Sequence, residues 1–263
     1  MPRYDFRSPR LYVEDALSAG AEIALGKSPA HYLRNVLRLK PGDEVLVFNG
    51  RDGEFRATVA DGKRAALVLG EQARKQTAPS DLHYLFAPLK HERLDYMVQK
   101  AVEMGVSRLQ PVLTRHTQVQ RVNLARMRAN AIEAAEQCGI LSIPEVGEPT
   151  TFGRAIAARK PDRLLVFCDE DAEVKDPVAA LAAGRPAPAA LLPLTMGGAT
   201  GPANAQPIAL LIGPEGGFSE EERSALLKLP NIVRLSLGPR ILRADTAAVA
   251  ALALIQAVLG DGR

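Results

Sequence analysis

The stretch IALLIGPEGGFSEEE, residues 208–222, reads as a strand, a turn and a helix start in immediate succession. Its apolar run up to Ile212 shows no alternation, as expected for a strand buried on both faces. Gly213, Pro214, Glu215, Gly216 and Gly217 interrupt the run. Ser219 and Glu222 have the spacing of a capping box, which starts a helix at Glu220. A doubly buried strand that passes straight into a helix is the unit of a parallel α/β sheet.

The same alternation extends outward from this stretch. Strands are predicted over 82–89, 108–113, 163–168, 207–212 and 232–237, and helices over 92–104, 124–137, 220–229 and 245–259. Residues 81–263 are therefore expected to form an α/β domain with a parallel sheet. Residues 1–75 differ, with short apolar runs closed by Asn49-Gly50 and Asp61-Gly62, which is hairpin chemistry. They predict a small β-barrel or sandwich interrupted by one helix over 29–39. In that helix His31, Arg34 and Arg38 would share one face, and Leu33, Val36 and Leu37 another. The polar segment 71–80 reads as the linker, and the Ala/Pro/Gly-rich stretch between Gly184 and Pro207 as a flexible surface loop.

Composition narrows the class. With 263 residues, 47% apolar and 24% charged, the chain is a globular protein large enough to bury a core without staples. Cys138 and Cys168 make no disulfide framework, and with four scattered histidines no metal-ligand spacing occurs, so no metal is expected. The start of the chain has no apolar signal region, and residues 247–259 fall short of the ~20 a membrane span needs, so a cytoplasmic location away from membranes is expected. The net charge of +3 lies wholly in residues 1–80, with 13 basic and 10 acidic residues. Residues 90–128 carry eight basic residues against three acidic ones. Two basic zones suit a polyanionic partner.

Neither a G-x-G-x-x-G turn nor a G-x-x-x-x-G-K-[ST] loop is present. The glycine-rich turns come late, after the last two predicted strands, which were expected to be neighbours and to offer a site at their C-terminal ends. Gly213, Gly216 and Gly217 would leave main chain bare for a flat ligand. Glu220 and Glu221 at the helix start disfavour a phosphate and suit a neutral or cationic group. A purely structural strand-to-helix connection is the other reading of this turn. In LSLGPRILRADT, residues 235–246, Arg240, Arg243, Asp245 and Thr246 crowd the start of an apolar helix rich in alanine, which reads as a core or dimer helix.

The strings LIGPEGG (211–217) and LGPRILR (237–243) closely resemble those of the 16S ribosomal RNA (uracil-N3)-methyltransferase family of the SPOUT superfamily. PRLY (9–12), His31 with VLR (36–38), QKAVEMGV (99–106) and EAAEQCG (133–139) extend the resemblance along nearly the whole chain. It implies a PUA-like β-domain for RNA and a C-terminal α/β domain tied in a deep trefoil knot. It also implies a homodimer through that domain, S-adenosylmethionine as cofactor and the small ribosomal subunit as partner. The cofactor residues so implied are Leu211, Ile212, Gly213, Pro214, Glu215, Gly216 and Gly217 from the first turn. From the second they are Ser236, Leu237, Gly238, Arg240, Ile241, Leu242 and Thr246.

The implied reaction methylates N3 of a uridine, by resemblance uridine 1498 of 16S rRNA. It needs the N3 proton removed and the resulting anion stabilised. Arg243, with Arg240, is expected to stabilise that anion, and Asp245 to orient the arginine or relay the proton. RNA contacts are assigned to Arg10, His31, Arg34, Arg38 and Lys90. The alternatives are a SPOUT enzyme with another RNA target and a non-catalytic ribosome-assembly protein. Ile140, Leu141 and Ser142 stand where many relatives place a basic residue, and Asp245 where glutamate is usual.

Overall fold

The structure is a computed structural model that describes residues 5, 7–62, 65–173, 176–184 and 206–260. Most of the expected loop before Pro207, residues 185–205, lies outside the described residues. The chain forms two compact units, residues 1–78 with 132–143, and residues 79–131 with 144–263. The first unit thus takes in a second segment that the expected domain 1–75 did not include.

In the first unit β1 (Arg10–Tyr12), β2 (Glu22–Ala24), β3 (Glu44–Phe48), β4 (Glu54–Val59) and β5 (Ala66–Arg74) form one sheet in the order β1-β3-β4-β5-β2. The Asn-Gly turn does what its chemistry predicts, joining β3 and β4 as an antiparallel hairpin with Gly50 at φ 81°. Leu11, Val45, Val47, Leu67 and Leu69 form the core beneath. β5 runs through Gly70 to Arg74, so the first residues of the predicted linker are strand. The reason is electrostatic. Glu54, only 2% exposed, accepts from Arg74 Nε at 2.7 Å and from Arg10 Nε at 3.0 Å. A buried carboxylate requires such partners, and the strand must reach far enough to supply them. Arg10 is thereby spent inside the unit, 6% exposed, and is withdrawn from the RNA contacts assigned to it.

The predicted helix over 29–39 forms with shifted bounds. A short α1 (Lys27–His31) continues as a wider, π-type helical stretch over Tyr32–Val36, closed by Leu37 N–H donating to Tyr32 O at 2.9 Å. Arg38 then sits at φ +57°, which ends helical geometry. His31, Arg34 and Arg38 are all exposed, but Arg38 lies beyond the helix, and Val36 is 58% exposed rather than part of an apolar stripe.

Residues 132–143 are held to this unit by polar contacts. Tyr12 N–H donates to Glu136 Oε1 at 2.8 Å, and Arg74 Nη2 to Gly139 O at 2.9 Å. Leu141 is buried, which is what the apolar residues after Gly139 do in place of a surface cation.

The second unit comprises β6 (Leu82–Phe86), α2 (His91–Glu103), β7 (Arg108–Leu113), α3 (Leu124–Cys138) as far as Ala131, β8 (Glu145–Val146), β9 (Thr150–Thr151) and α4 (Phe152–Ala157). β10 (Leu164–Cys168), α5 (Pro177–Ala183), β11 (Ile208–Ile212), α6 (Glu220–Leu227), β12 (Ile232–Leu235) and α7 (Ala244–Val258) complete it. The strands pair in the order β12-β10-β11-β6-β7-β8, all parallel, with β9 beside β7. This is the predicted α/β architecture. Leu85, Leu165, Phe167, Ala209 and Leu211 pack toward Ala155 of α4 and Leu226 of α6. The alternate residues Tyr84, Val166 and Leu210 are equally buried, and the Tyr84 hydroxyl donates to Met97 Sδ of α2 at 3.0 Å. Helices therefore cover both faces. The sequence reading missed β8, β9, α4 and α5, although α5 carries a readable start: Pro177 at its first turn and Asp176 accepting from Val178 and Ala179 N–H.

Burial pushes the Glu136 carboxyl up to about 7, partly opposed by the Tyr12 N–H and reinforced by Glu133. A carboxyl raised on folding stabilises the fold below its unfolded pKa, and that contribution is lost as pH rises through about 7. Glu136→Gln keeps an acceptor for Tyr12. It is expected to raise stability at pH 8 by about 1–3 kcal/mol, with little effect at pH 4, in urea unfolding. Equal effects at both pH values would refute a buried titrating group.

Candidate functional site

Parallel strands deliver their C-terminal ends to one edge, where Cys168, Ile212 and Leu235 end β10, β11 and β12. β10 lies between the other two, so the strands expected to be neighbours are separated by one. Asp169, the residue after β10, is 7% exposed. It accepts from Arg223 Nε of α6 at 3.2 Å, and from Arg234 of β12 through Nη2 at 2.7 Å and Nε at 3.0 Å. One carboxylate thus ties together elements bearing both glycine-rich turns. The sequence reading did not select it, because Asp169-Glu170-Asp171 looks like a solvated acidic turn. The signal available was its place directly after a doubly buried strand. Beside it, burial and the Asp169 charge push the Cys168 thiol up to about 12, which disfavours its thiolate.

The capping box at α6 forms as predicted, with Ser219 Oγ accepting from Glu222 N–H and Glu222 Oε2 from Ser219 N–H. Glu222 Oε1 also accepts from Arg115 N–H at 2.9 Å. The glycines before it also serve packing within the protein. A Cβ at Gly213 would lie 2.7 Å from the Phe218 ring, and one at Gly216 3.3 Å from His116 Cβ. Those two are small because protein side chains occupy the space, whereas Gly217 is required by its φ of +67°. His116 Nδ1 lies 3.0 Å from Gly216 O and 3.3 Å from Gly217 O, so this nitrogen is the donor. His116 is a further contact of the turn that the sequence reading missed. Glu215 is exposed and pairs with Arg93 at 3.7 Å. Leu211, Ile212 and Pro214 are buried and can present only main chain.

The second turn opens a cavity of about 470 Å³. Ser236, Leu237 and Gly238 line it, facing Ala250, Ala253 and Leu254 of α7 and Pro177. The alanines make the room, and Gly238 takes φ +102° at the bend. The volume falls within the roughly 300–1,000 Å³ of small-molecule sites. None of Gly213 to Gly217 lines this cavity. Arg240, Ile241, Arg243 and Thr246 are exposed, and Leu242 is half-buried. Asp245 Oδ1 accepts from Thr246 N–H at 2.9 Å. Among the described residues it makes no ion pair with Arg240 or Arg243, so the arginine-orienting role expected of it is not formed here. Lys90 is exposed at the start of α2. Among the described residues no group of three His, Cys, Asp or Glu could hold a metal ion, and no helix is long and apolar enough to cross a membrane.

A family model described as the RNA methyltransferase domain matches residues 76–256, and one described as the RNA methyltransferase PUA domain matches residues 27–69. The chain belongs to the RNA methyltransferase family. This methyltransferase is 30% identical over 250 residues, 94% of each chain, to ribosomal RNA small subunit methyltransferase E of Rickettsia conorii. It is 31% identical to the Synechocystis protein of that name, over 95% of this chain and 78% of the other. Among solved structures it is similar to the Neisseria gonorrhoeae ribosomal RNA small subunit methyltransferase E bound to S-adenosylmethionine. The TM-score is 0.78 at 25% identity, covering 98% of this chain and all of that one. A Legionella pneumophila protein in complex with the same cofactor matches with TM-score 0.75 at 28% identity, over 95% of this chain and 98% of that one.

Removing the Asp169 carboxylate leaves two guanidinium groups without their shared partner. Asp169→Ala is expected to cost about 2–4 kcal/mol in urea unfolding and to weaken any ligand held at residues 236–238. An unchanged unfolding midpoint would show that the two arginines find other partners.

Proposed function

We propose that the protein transfers a methyl group from S-adenosylmethionine to N3 of a uridine in 16S rRNA, by resemblance uridine 1498 of the small ribosomal subunit. The observation that carries this reading is the near full-length similarity to the cofactor-bound Neisseria protein. The cavity at residues 236–238 supports it, since its apolar wall and exposed turn main chain suit an adenosine. The cofactor supplies an electrophilic methyl group when bound. Ser236, Leu237, Gly238 and the main chain near Gly213 and Leu242 would hold it, with Glu215, Gly216 and Gly217 nearby. The knotted threading and a cytoplasmic homodimer belong to the same reading. Ile241, 91% exposed beside the cavity, is the kind of apolar side chain a second copy would cover.

Uracil N3 becomes nucleophilic only when its proton leaves and charge spreads to O2 and O4. Arg243 and Arg240, both exposed and unpaired among the described residues, supply the cations for that charge. Asp245 keeps one carboxylate oxygen off the Thr246 N–H and relays the proton. His31, Arg34, Arg38 and Lys90, all exposed, hold the RNA backbone.

Incubating the protein and labelled cofactor with small subunits from a strain lacking it should yield 3-methyluridine in 16S rRNA by nucleoside mass analysis. Methyl on a ribose would point to a different SPOUT activity. Arg243→Ala is expected to reduce turnover about 100-fold with cofactor and RNA affinities retained; near-normal turnover would remove it from this role. Arg38→Glu should weaken RNA binding and flatten its salt dependence without touching cofactor affinity.

A further inference from the structure

A second groove, of about 310 Å³, lies in the second unit between the start of α2 and the segment leading into α3. Its floor is apolar, formed by buried Leu89, Leu94 and Met127 with Val119 and Val122. Its rim is polar and cationic, with Lys90, Arg121, Asn123 and Arg126. Asp95 is the one carboxylate in the lining, and it is occupied. It accepts from Arg126 Nε at 3.0 Å, from Arg126 Nη2 at 2.5 Å and from Asn130 Nδ2 at 2.7 Å. That pair is neutral overall and leaves Lys90 and Arg121 as uncompensated cations, neither in an ion pair among the described residues. Asn123 caps α3 by accepting the Arg126 N–H through Oδ1 at 3.0 Å, which leaves its amide NH₂ as a donor.

Both walls of the groove are fastened to the first glycine-rich turn. Arg93, beside Leu94 on α2, pairs with Glu215 at 3.7 Å. His116, at the head of the segment carrying Val119, Arg121 and Val122, bonds Gly216 O at 3.0 Å. The groove opens at the C-terminal end of β6, on the sheet edge where the other ends gather. An apolar floor takes the face of a base and a cationic rim takes phosphate, and the volume admits one nucleotide but no helix.

We infer that this groove holds one unstacked RNA nucleotide flanking the methylated uridine, its base on Val119 and Val122 and its phosphate at Lys90 and Arg121. The inference rests on the proposed RNA methylation. A flanking base anchored here holds the strand while the target base turns toward the cavity at residues 236–238. Lys90 and Arg121, two cations of the basic run over 90–128, thereby acquire a use.

The test measures binding of unmodified small subunits at several salt concentrations, alongside cofactor binding and methylation, for wild type, Arg121→Glu and Val122→Trp. Arg121→Glu should raise the RNA Kd about 10-fold and lower the salt slope by about 1. Val122→Trp, which fills the groove without changing charge, should raise Kd about 10-fold with the slope unchanged. Both should keep wild-type cofactor affinity, which also reports that they fold. If wild type binds and methylates while both variants match it, the groove is not an RNA site. A wild-type chain that neither binds nor methylates the subunits overturns the functional reading and the groove with it.

Discussion

A parallel ladder leaves no freedom about where turns fall: each strand enters at one edge of the sheet and leaves at the other. In this protein the strands of the second unit all obey that constraint, so the ends of β6, β7, β10, β11 and β12 share one edge. The glycine-rich turns, the cavity beside α7 and the groove beside α2 all lie there because the ladder allows them no other place. Side chains then divide the edge. Asp169, Arg223 and Arg234 tie its centre together, while His116 and Arg93 tie the glycine turn toward the β6 and β7 side.

Buried charge recurs as a fastening device in both units. Glu54 joins Arg10 and Arg74 in the β-unit much as Asp169 joins Arg223 and Arg234 in the sheet. In each case a carboxylate removed from water is matched by two guanidinium groups arriving from different elements, which fixes those elements relative to each other. The arginines so engaged are lost to RNA. Cations exposed without a partner among the described residues, such as Arg38, Lys90 and Arg121, are a better guide to a polyanion surface than any count of basic residues.

Periodicity exposed most of the α/β unit, since long apolar runs and a capping box depend only on neighbours in the chain. It failed at short elements. α4 is too brief to show a pattern, and the helix expected over 29–39 runs over 27–36, with a widened second half and a positive φ at Arg38 that no local apolar count reveals. At the site, Ser236, Leu237 and Gly238 were legible from the glycine-rich string. Asp169 and His116 were not, because their partners lie far along the chain, Arg234 for one and Gly216 for the other.

The sequence by itself determined the class of fold, the two-part organisation and, through resemblance, the methyltransferase family. Tertiary structure decided the purpose of individual residues. At Gly213 and Gly216 the missing Cβ atoms make room for Phe218 and His116, neighbours that no local string announces. Arg10 looked like a surface cation, yet it is buried on Glu54. The physical reason is that secondary structure follows from contacts a few residues apart, whereas burial and ion pairing follow from contacts between distant segments.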